Sequence, residues 1–279
     1  MKISTRSMFR TLLLAATMWT AAAVQAGEAQ VQRPTYSLQA EQTGDGPMQV
    51  VFESGFGQGP GVWKAVIGDL GTECHCVVYA RAGLGKSGTY GQPKTIQEHL
   101  DDLGAVIGAL AHGKVVLVGH SYGGLLATEF GRQHPELVSS LVLVDPATMG
   151  QRHAFMAADH DRVLADDKTL LDMLPPSLGA QYQTLIRQLD ATEAATPHPM
   201  PDIPVMLMTS TQVAADPLVF EETAAGKAIW KTQHAALFAM FSRGIHQYFA
   251  TGHNIHREDP KAVADAIRAA SRLASEPVN

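Results

Sequence analysis

Short apolar segments that alternate with helical patterns are the feature of this sequence that most constrains its fold. Residues 115–118 are apolar at every position, as expected of a strand that is covered on both faces. Comparable runs occupy residues 48–53, 76–79, 141–144 and 205–208. Residues 96–110 have apolar side chains at the helical period, behind a predicted capping box of Thr95 and Glu98. This order predicts an α/β fold with a mostly parallel sheet and helices on both faces.

The alternation is interrupted once and then resumes. Between Asp145 and Ile203, helical patterns near residues 161–174 and 178–189 replace the expected strand. We therefore predict a helical cap inserted at residues 146–203, which divides the α/β core into residues 27–145 and 204–279. A last strand is expected near residues 246–249. Asp259-Pro260 has the cap residue and first-turn proline that begin a final helix.

Residues 1–26 have the pattern of a secretory signal peptide. Three basic residues occupy the first ten positions, an apolar run covers residues 11–24, and small residues at Val24 and Ala26 precede Gly27. The apolar run is shorter than the roughly 20 residues that a membrane span needs, which favours cleavage over a membrane anchor. We expect a periplasmic or secreted protein of bacterial type, with no stable membrane insertion after cleavage.

The charge balance argues against a nucleic-acid partner. The chain of 279 residues has 21 basic and 27 acidic residues, a formal net charge of −6. Because the leader holds three of the basic residues and no acidic one, the mature chain carries −9. Nucleic-acid-binding proteins usually present a basic face. Since the sequence also lacks a Walker loop, a dinucleotide glycine pattern and a His-Glu-x-x-His zinc motif, we expect neither cofactor nor metal.

The two cysteines, Cys74 and Cys76, allow two interpretations. In a strand, residues two apart lie on one face, so the thiols are neighbours. Free buried thiols that pack as small apolar groups are favoured, because a bridge across one residue is strained and rare. Export would permit the bridge. A Cys-His-Cys metal site is the weaker hypothesis, because strand alternation places His75 on the other face.

Gly119-His120-Ser121-Tyr122-Gly123 lies between an apolar strand and a helical pattern. In that context Gly-x-Ser-x-Gly is typical of a nucleophile elbow, a strained turn that exposes the serine Oγ. Glycine is required on both sides because a Cβ there would collide with neighbouring backbone. At the helix N-terminus, the helix dipole favours negative charge that develops on Ser121. The side chain of His120 is expected to point away from Oγ and to pack within the elbow.

Four motifs in order make the chain resemble the serine hydrolases of the α/β-hydrolase fold, from about residue 48 to residue 273. Residues 119–124 match the nucleophile elbow of that family. Residues 53–57 resemble its oxyanion loop, residues 81–87 resemble the turn after its next strand, and residues 252–260 resemble its histidine loop.

The resemblance implies that His253 is the general base for Ser121. A serine hydroxyl needs a base and a third group that orients the base. His253 follows the last strand and precedes the last helix, where the family carries its histidine. His246, inside the strand pattern, and His256, further into the loop, are the less favoured alternatives.

Two aspartates are candidates for the third group. Asp145 directly follows the strand at residues 141–144, which is one of the two placements known in the family. Asp216 follows the next strand and would need a longer loop than the family usually has. We favour Asp145 and keep Asp216 as the alternative.

The resemblance also implies an oxyanion hole of two backbone N–H groups. Tyr122, the residue after the nucleophile, supplies one, and Phe56 in the loop after the strand at residues 48–53 supplies the other. The side chains of Phe56, Tyr122 and Trp63 are candidates for the substrate pocket, although packing accounts for Trp63 equally well.

Together these features predict cleavage of a carboxylic ester or related acyl bond through an acyl-enzyme. The expected partner is a small to medium, partly apolar acyl substrate. Carboxylesterase, lipase, thioesterase, lactonase and amidase activities stay open, with ester-bond hydrolysis favoured. Serine at the elbow argues against relatives that use aspartate there, the haloalkane dehalogenases and epoxide hydrolases. The alternatives are a non-hydrolytic enzyme of this fold, such as a lyase or cofactor-free haloperoxidase, and a catalytically silent ligand-binding protein.

Overall fold

The computed structural model describes residues 26–192 and 199–276. The predicted signal peptide, residues 1–26, lies outside the described residues except for Ala26. In the described part, the strands are β1 (Ala26–Gln32), β2 (Ser37–Thr43), β3 (Met48–Glu53), β4 (Cys74–Tyr79), β5 (Val115–His120), β6 (Val138–Val144), β7 (Val205–Ser210) and β8 (Gly244–Phe249). The helices there are α1 (Lys64–Leu70), α2 (Ile96–Leu110), α3 (Tyr122–Gln133), α4 (Gln151–Ala158), α5 (His160–Met173), α6 (Pro176–Ala191), α7 (Ala224–Phe238), α8 (Ile255–Glu258) and α9 (Pro260–Ser275).

The strands form one sheet in the order β1-β2-β4-β3-β5-β6-β7-β8. The six strands from β4 to β8 in this order are parallel, which confirms the predicted fold class. β1 and β2 form an antiparallel pair at one edge, and β2 runs antiparallel to β4. The sequence patterns do not predict this pair, because both strands are rich in glutamine, glutamate and alanine and lack a continuous apolar run.

Each central strand buries side chains on both faces of the sheet. In β5, Val115 and Leu117 join the apolar cluster that includes residues of α2 and α3. Val116 and Val118 join the cluster on the opposite face with residues of α1 and α9. Coverage on both sides favours apolar side chains at successive positions, which explains the apolar run at residues 115–118.

The two predicted helix starts are present. Thr95 and Glu98 form the capping box of α2: Thr95 Oγ1 accepts from the Glu98 N–H, and the Thr95 N–H donates to Glu98 Oε2 at 2.8 Å. Asp259 caps α9 by accepting from the Ala262 N–H at 3.0 Å, with Pro260 at the first helical position. In the described ranges, no helix combines the length and the apolar character that a membrane crossing requires.

Three helices, α4, α5 and α6, connect β6 to β7 within the segment predicted as a cap. α5 and α6 correspond to the two predicted helical patterns, whereas the short α4 is an addition. Arg152 in α4 joins the three: its guanidinium binds Asp167 of α5 at 2.8 Å and Asp190 of α6 at 2.5 Å. The boundaries at residues 146 and 203 stay a prediction.

Cys74 and Cys76 form a disulfide, so the favoured interpretation of two free thiols is wrong. The period of two in β4 places both fully buried side chains side by side, with Cα atoms 5.4 Å apart, a separation that permits a bridge. His75 lies on the other face, where its ring nitrogens are 3.1 Å from the Gly44 carbonyl oxygen and 3.0 Å from that of Leu110. The arrangement therefore excludes a Cys-His-Cys metal site.

The bridge predicts the outcome of a thiol titration. Protein produced in an oxidising compartment and denatured without reductant should show no reactive thiol, because Cys74 and Cys76 are the two cysteines of the chain. After reduction, the same titration should give two thiols per chain. Two thiols before reduction would contradict the disulfide, and the Cys74→Ser/Cys76→Ser double variant serves as the blank.

Candidate active site

Ser121 occupies a strained turn between β5 and α3. Its φ is +52°, and among the described residues only Asp145, with φ of +45°, is another non-glycine residue with positive φ. Such a conformation costs free energy and persists only where the surroundings hold it. The Ser121 N–H donates to the Val144 carbonyl at 3.2 Å, and its own carbonyl accepts from the Ala147 N–H at 2.8 Å. The end of β6 therefore holds the turn.

The two glycines of the elbow allow backbones to approach very closely. A Cβ at Gly119 would lie 2.4 Å from the Gly123 carbonyl oxygen. A Cβ at Gly123 would lie 2.3 Å from the Glu53 carbonyl oxygen at the end of β3. The sequence predicts such collisions, and they also show that the first turn of α3 packs directly on the loop after β3.

Asp145 and His253 are brought together at the carboxyl edge of the sheet. His253 Nδ1 lies 2.7 Å from Asp145 Oδ2. The fully buried carboxylate also accepts from the Ser210 N–H and Oγ, both at 2.7 Å, and from Trp230 Nε1 at 2.8 Å. Burial by itself would raise the pKa of Asp145, but the hydrogen bond and the positive charge of His253 hold that pKa well below its usual range. Asp216, the alternative acid, lies exposed on the loop after β7.

His253 also lies beside the elbow. Its carbonyl oxygen is 3.0 Å from Nε2 of His120, the residue before Ser121, and the two imidazole rings are 4.7 Å apart. The buried His120 thus packs within the elbow as expected. His246 Nε2 instead lies 2.8 Å from Thr209 Oγ1, and the His256 ring packs on Trp63. Within the part of the chain that the structure describes, neither of these two histidines contacts a carboxylate.

A second carboxylate near His253 was missed by the sequence analysis. Glu221 Oε1 lies 3.6 Å from His253 Nδ1 and 3.7 Å from Nζ of the buried Lys227, which also donates to Ser210 Oγ at 3.0 Å. Burial would lower the pKa of His253, but the attraction of Glu221 and the hydrogen bond to Asp145 outweigh it and leave that pKa raised. No motif could have indicated these residues, since Glu221 is in a short 3-10 helix (Phe220–Glu222) and Lys227 in α7, both outside the recognised patterns.

The two predicted oxyanion donors lie in neighbouring segments, Tyr122 in the elbow and Phe56 in the loop after β3, with ring centroids 6.0 Å apart. Tyr122 is the first residue of α3, where an N–H has no acceptor within the helix. Phe56 follows Gly55 in a tight turn closed by the Gln58 N–H and the Gly55 carbonyl at 3.1 Å. In residues 26–192 and 199–276, neither N–H donates to a protein acceptor. Arg81 fixes the backbone at the start of this turn. Its guanidinium donates at 2.5 Å to the Glu53 carboxylate and to the carbonyls of Ser54 and Gly55.

Gln58 connects the three loops of the site and was also missed. Its Oε1 accepts from the Gly55 N–H at 3.2 Å and lies 3.1 Å from His120 Nδ1. Its Nε2 donates to Asn254 Oδ1, next to His253, at 3.1 Å. The residue directly follows the recognised motif at residues 53–57, so its proximity in sequence was the available signal.

A cavity of about 310 Å³ lies beside Phe56 and Tyr122, with lining from the loop after β4 and from α6. The two rings that were pocket candidates therefore contribute to it. Trp63 does not: it is fully buried on the opposite face of the sheet, against Phe52, and donates to Ser54 Oγ at 3.0 Å. Its apolar surface and its N–H are both satisfied there, so Trp63 is a packing residue.

One group of side chains has the composition of a metal site. Asp145, Glu221 and His253 offer potential ligand atoms within 4.8 Å of one another. These atoms are engaged otherwise, since His253 Nδ1 and Asp145 Oδ2 share a hydrogen bond and the Lys227 ammonium lies 3.7 Å from Glu221. The potential ligand atoms are therefore occupied by contacts with one another and with Lys227.

Comparisons of sequence and of structure find proteins that are similar to this chain. The chain is 23% identical over 226 residues to YqjL, an uncharacterised protein of Bacillus subtilis, covering 80% of this chain and 83% of that protein. It is 32% identical over 167 residues to the esterase Rv0045c of Mycobacterium tuberculosis, covering 58% of this chain and about half, 51%, of that esterase. The structure of epoxide hydrolase VrEH1 from Vigna radiata superimposes with a TM-score of 0.68 at 16% identity, covering 89% of this chain and 98% of that one.

A family model also matches most of the chain. Residues 50–266 match the Alpha/beta hydrolase family, a range that begins in β3 and ends in α9. It includes the predicted elbow, oxyanion loop and histidine loop. The chain belongs to the Alpha/beta hydrolase family.

Proposed function

We propose that this protein is a serine hydrolase that cleaves a carboxylic ester or a related acyl bond. Ser121 is the nucleophile, His253 the general base and Asp145 the acid that orients the base. The observation that carries the proposal is the 2.7 Å hydrogen bond between His253 Nδ1 and a fully buried Asp145. Ser121, with φ of +52°, is joined to the same strand end by the hydrogen bond from its N–H to the Val144 carbonyl.

The geometry supports the following steps. Because His253 Nδ1 donates to Asp145, Nε2 has a free lone pair that accepts the Ser121 hydroxyl proton as Oγ attacks the carbonyl carbon. The N–H groups of Phe56 and Tyr122 stabilise the resulting oxyanion. His253 then returns the proton to the leaving alkoxide, and the acyl group remains on Ser121. Water, deprotonated by the same nitrogen, attacks the acyl carbon. The bond between that carbon and Ser121 Oγ then breaks, and His253 returns the proton to Oγ as the acid leaves.

Similarity to known hydrolases supports the reaction class. The esterase of Mycobacterium tuberculosis aligns over 58% of this chain. The epoxide hydrolase neighbour shares the fold at 16% identity, and at that level likeness concerns the fold alone. Serine at position 121 favours acyl transfer over the aspartate chemistry expected of epoxide hydrolases.

Export and a cap are part of the same proposal. The leader pattern at residues 1–26 and the Cys74–Cys76 disulfide both suit an oxidising compartment, which supports a periplasmic or secreted location. Ser177, Leu178 and Gln181 of α6 line the cavity, which supports a cap role for residues 146–203.

A fluorophosphonate probe tests the nucleophile. Native protein should be labelled on Ser121, because an activated serine attacks the phosphorus and displaces fluoride. Ser121→Ala should not be labelled, whereas Ser275→Ala, at the exposed end of α9, should be labelled like the native protein. Absence of native labelling, or equal labelling of Ser121→Ala, would contradict the serine-hydrolase proposal.

Paired variants test the acid. Asp145→Asn should lower kcat for p-nitrophenyl esters by about 10⁴-fold, because the amide no longer holds the imidazole in the required tautomer. Asp216→Asn removes the same charge at an exposed position and should keep native turnover. Thermal unfolding of both variants checks that each is folded. Full turnover by Asp145→Asn together with its loss in Asp216→Asn would reverse the assignment.

The pH profile tests the role of Glu221. His253 acts as a base only when neutral, so kcat/KM should rise with pH through its pKa, which lies above the usual value of about 6.5. Glu221→Gln removes a negative charge 3.6 Å from Nδ1 that favours the imidazolium, so the rise should move to lower pH. Asp216→Asn should leave the profile in place. A profile unmoved by Glu221→Gln, or moved to higher pH, contradicts this account.

A further inference from the structure

We propose that two carboxylates, Asp145 and Glu221, share the role of the acid that serves His253. Asp145 holds the imidazole ring by a hydrogen bond. Glu221 is a second positioning acid, which stabilises the imidazolium and can orient the ring by itself when Asp145 is removed. This inference rests on the proposed hydrolase function, since it assigns a further residue to the same reaction.

The first observation is that both carboxylates approach the same nitrogen. His253 Nδ1 lies 2.7 Å from Asp145 Oδ2 and 3.6 Å from Glu221 Oε1. The two acids reach it from different strand ends, because Asp145 directly follows β6 and Glu221 lies in the 3-10 helix after β7. A movement of roughly half an ångström to one ångström would bring Glu221 Oε1 within hydrogen-bond distance of Nδ1.

The second observation is that the side chain of Glu221 can make this movement while its backbone is held. Among the residues that the structure describes, the carboxylate has ion-pair contacts with His253 and, at 3.7 Å, with Lys227, but accepts no hydrogen bond. The neighbouring Phe220 is buried in an apolar cluster, and its N–H donates to Asp166 Oδ2 at 2.5 Å. A side chain without hydrogen bonds on a fixed backbone can shift at little cost.

Lys227 allows two acids to occupy one small site. Its buried ammonium donates to Ser210 Oγ at 3.0 Å and lies 3.7 Å from Glu221 Oε1. Without a cation, two carboxylates so close together would repel each other. Burial raises the pKa of Glu221, whereas the positive charges of His253 and Lys227 act against that rise. The ammonium, together with the imidazolium that forms during the reaction, therefore favours the ionised form of both acids.

The donors around Asp145 make two substitutions at this position differ. Oδ1 accepts from the Ser210 N–H and from Trp230 Nε1, whereas Oδ2 accepts from Ser210 Oγ and His253 Nδ1. In Asp145→Asn the two donors at Oδ1 require the amide oxygen there, so the NH₂ group faces Nδ1. It then holds the wrong tautomer and blocks Glu221. In Asp145→Gly that place is empty, and glycine tolerates the φ of +45°.

The larger deletion should therefore be the less harmful one. Asp145→Gly should hydrolyse p-nitrophenyl acetate with a kcat about tenfold higher than that of Asp145→Asn, because Glu221 can reach Nδ1 only in the glycine variant. Both variants lack the buried charge of Asp145, so loss of that charge does not account for the difference. If Asp145→Gly does not fold, Asp145→Ala vacates the same place and decides.

Glu221→Gln in three backgrounds measures the contribution of the second acid. In Asp145→Gly it should lower kcat about tenfold, whereas in native protein and in Asp145→Asn the loss should be about threefold or less, since residues that act together are not additive. Asp216→Asn removes an exposed acid that precedes Glu221 in the same connection and should leave kcat unchanged in all three.

The pH profile separates this role from a structural one. The charged groups that interact with His253 are Asp145, Glu221 and Lys227. Three histidines also interact with it, and each is uncharged at neutral pH because burial lowers its pKa: His120, His234 and His256. A carboxylate that has moved onto Nδ1 favours the imidazolium more strongly. Glu221→Gln should therefore shift the midpoint of kcat/KM further towards low pH in Asp145→Gly than in native protein.

Three results would overturn the second acid. These are a kcat of folded Asp145→Gly no higher than that of Asp145→Asn, an equal loss on Glu221→Gln in all three backgrounds, and equal shifts of the pH midpoint. Thermal unfolding shows which variants are folded. If native Ser121 is labelled by the fluorophosphonate in these cases, the hydrolase proposal stands and only the second acid falls. Absence of both labelling and turnover in native protein would remove the two together.

Discussion

The buried carboxylate of Asp145 is the group on which the rest of the site depends. A charge without access to water is tolerated only when its oxygens are fully hydrogen-bonded. Here Ser210 supplies two donors from the end of β7, Trp230 supplies one from α7, and His253 supplies one from the loop after β8. The requirement to satisfy one anion thus brings together β6, which ends directly before Asp145, and three other segments. The position of His253 follows from that convergence.

A second set of contacts determines the electrostatic environment of the imidazole. Lys227 donates to Ser210 Oγ and lies near Glu221, so the site contains two carboxylates, one ammonium and one imidazole within a few ångströms. When His253 becomes an imidazolium, the charges balance. The same balance accounts for the raised pKa of His253 and for a cluster that resembles a metal site but has its atoms engaged with one another.

Much of the framework could be predicted from the sequence because its signals are local. The bounds of β3 and α2 match the predicted segments, since an apolar run and a capping box are short-range patterns. The elbow is also a short-range pattern. Its glycines are required because a Cβ at either position would collide with backbone of the same turn or of the end of β3. The missed elements have weaker patterns: β1 and β2 are polar edge strands, and α4 is a helix of eight residues. The cysteine pair was misjudged because strand alternation indicates adjacency but does not decide between free thiols and a bridge.

By itself the sequence determined the fold class, the serine at the elbow and the histidine of the last loop, because each depends on residue types at fixed spacing along the chain. The tertiary structure alone decided which aspartate meets His253, that Glu221, Lys227 and Gln58 join the site, and that Trp63 packs on the opposite face of the sheet. It also placed Phe56 and Tyr122 together at one cavity. These contacts join residues that are distant along the chain, and strand order together with helix packing, which no local pattern encodes, places them side by side.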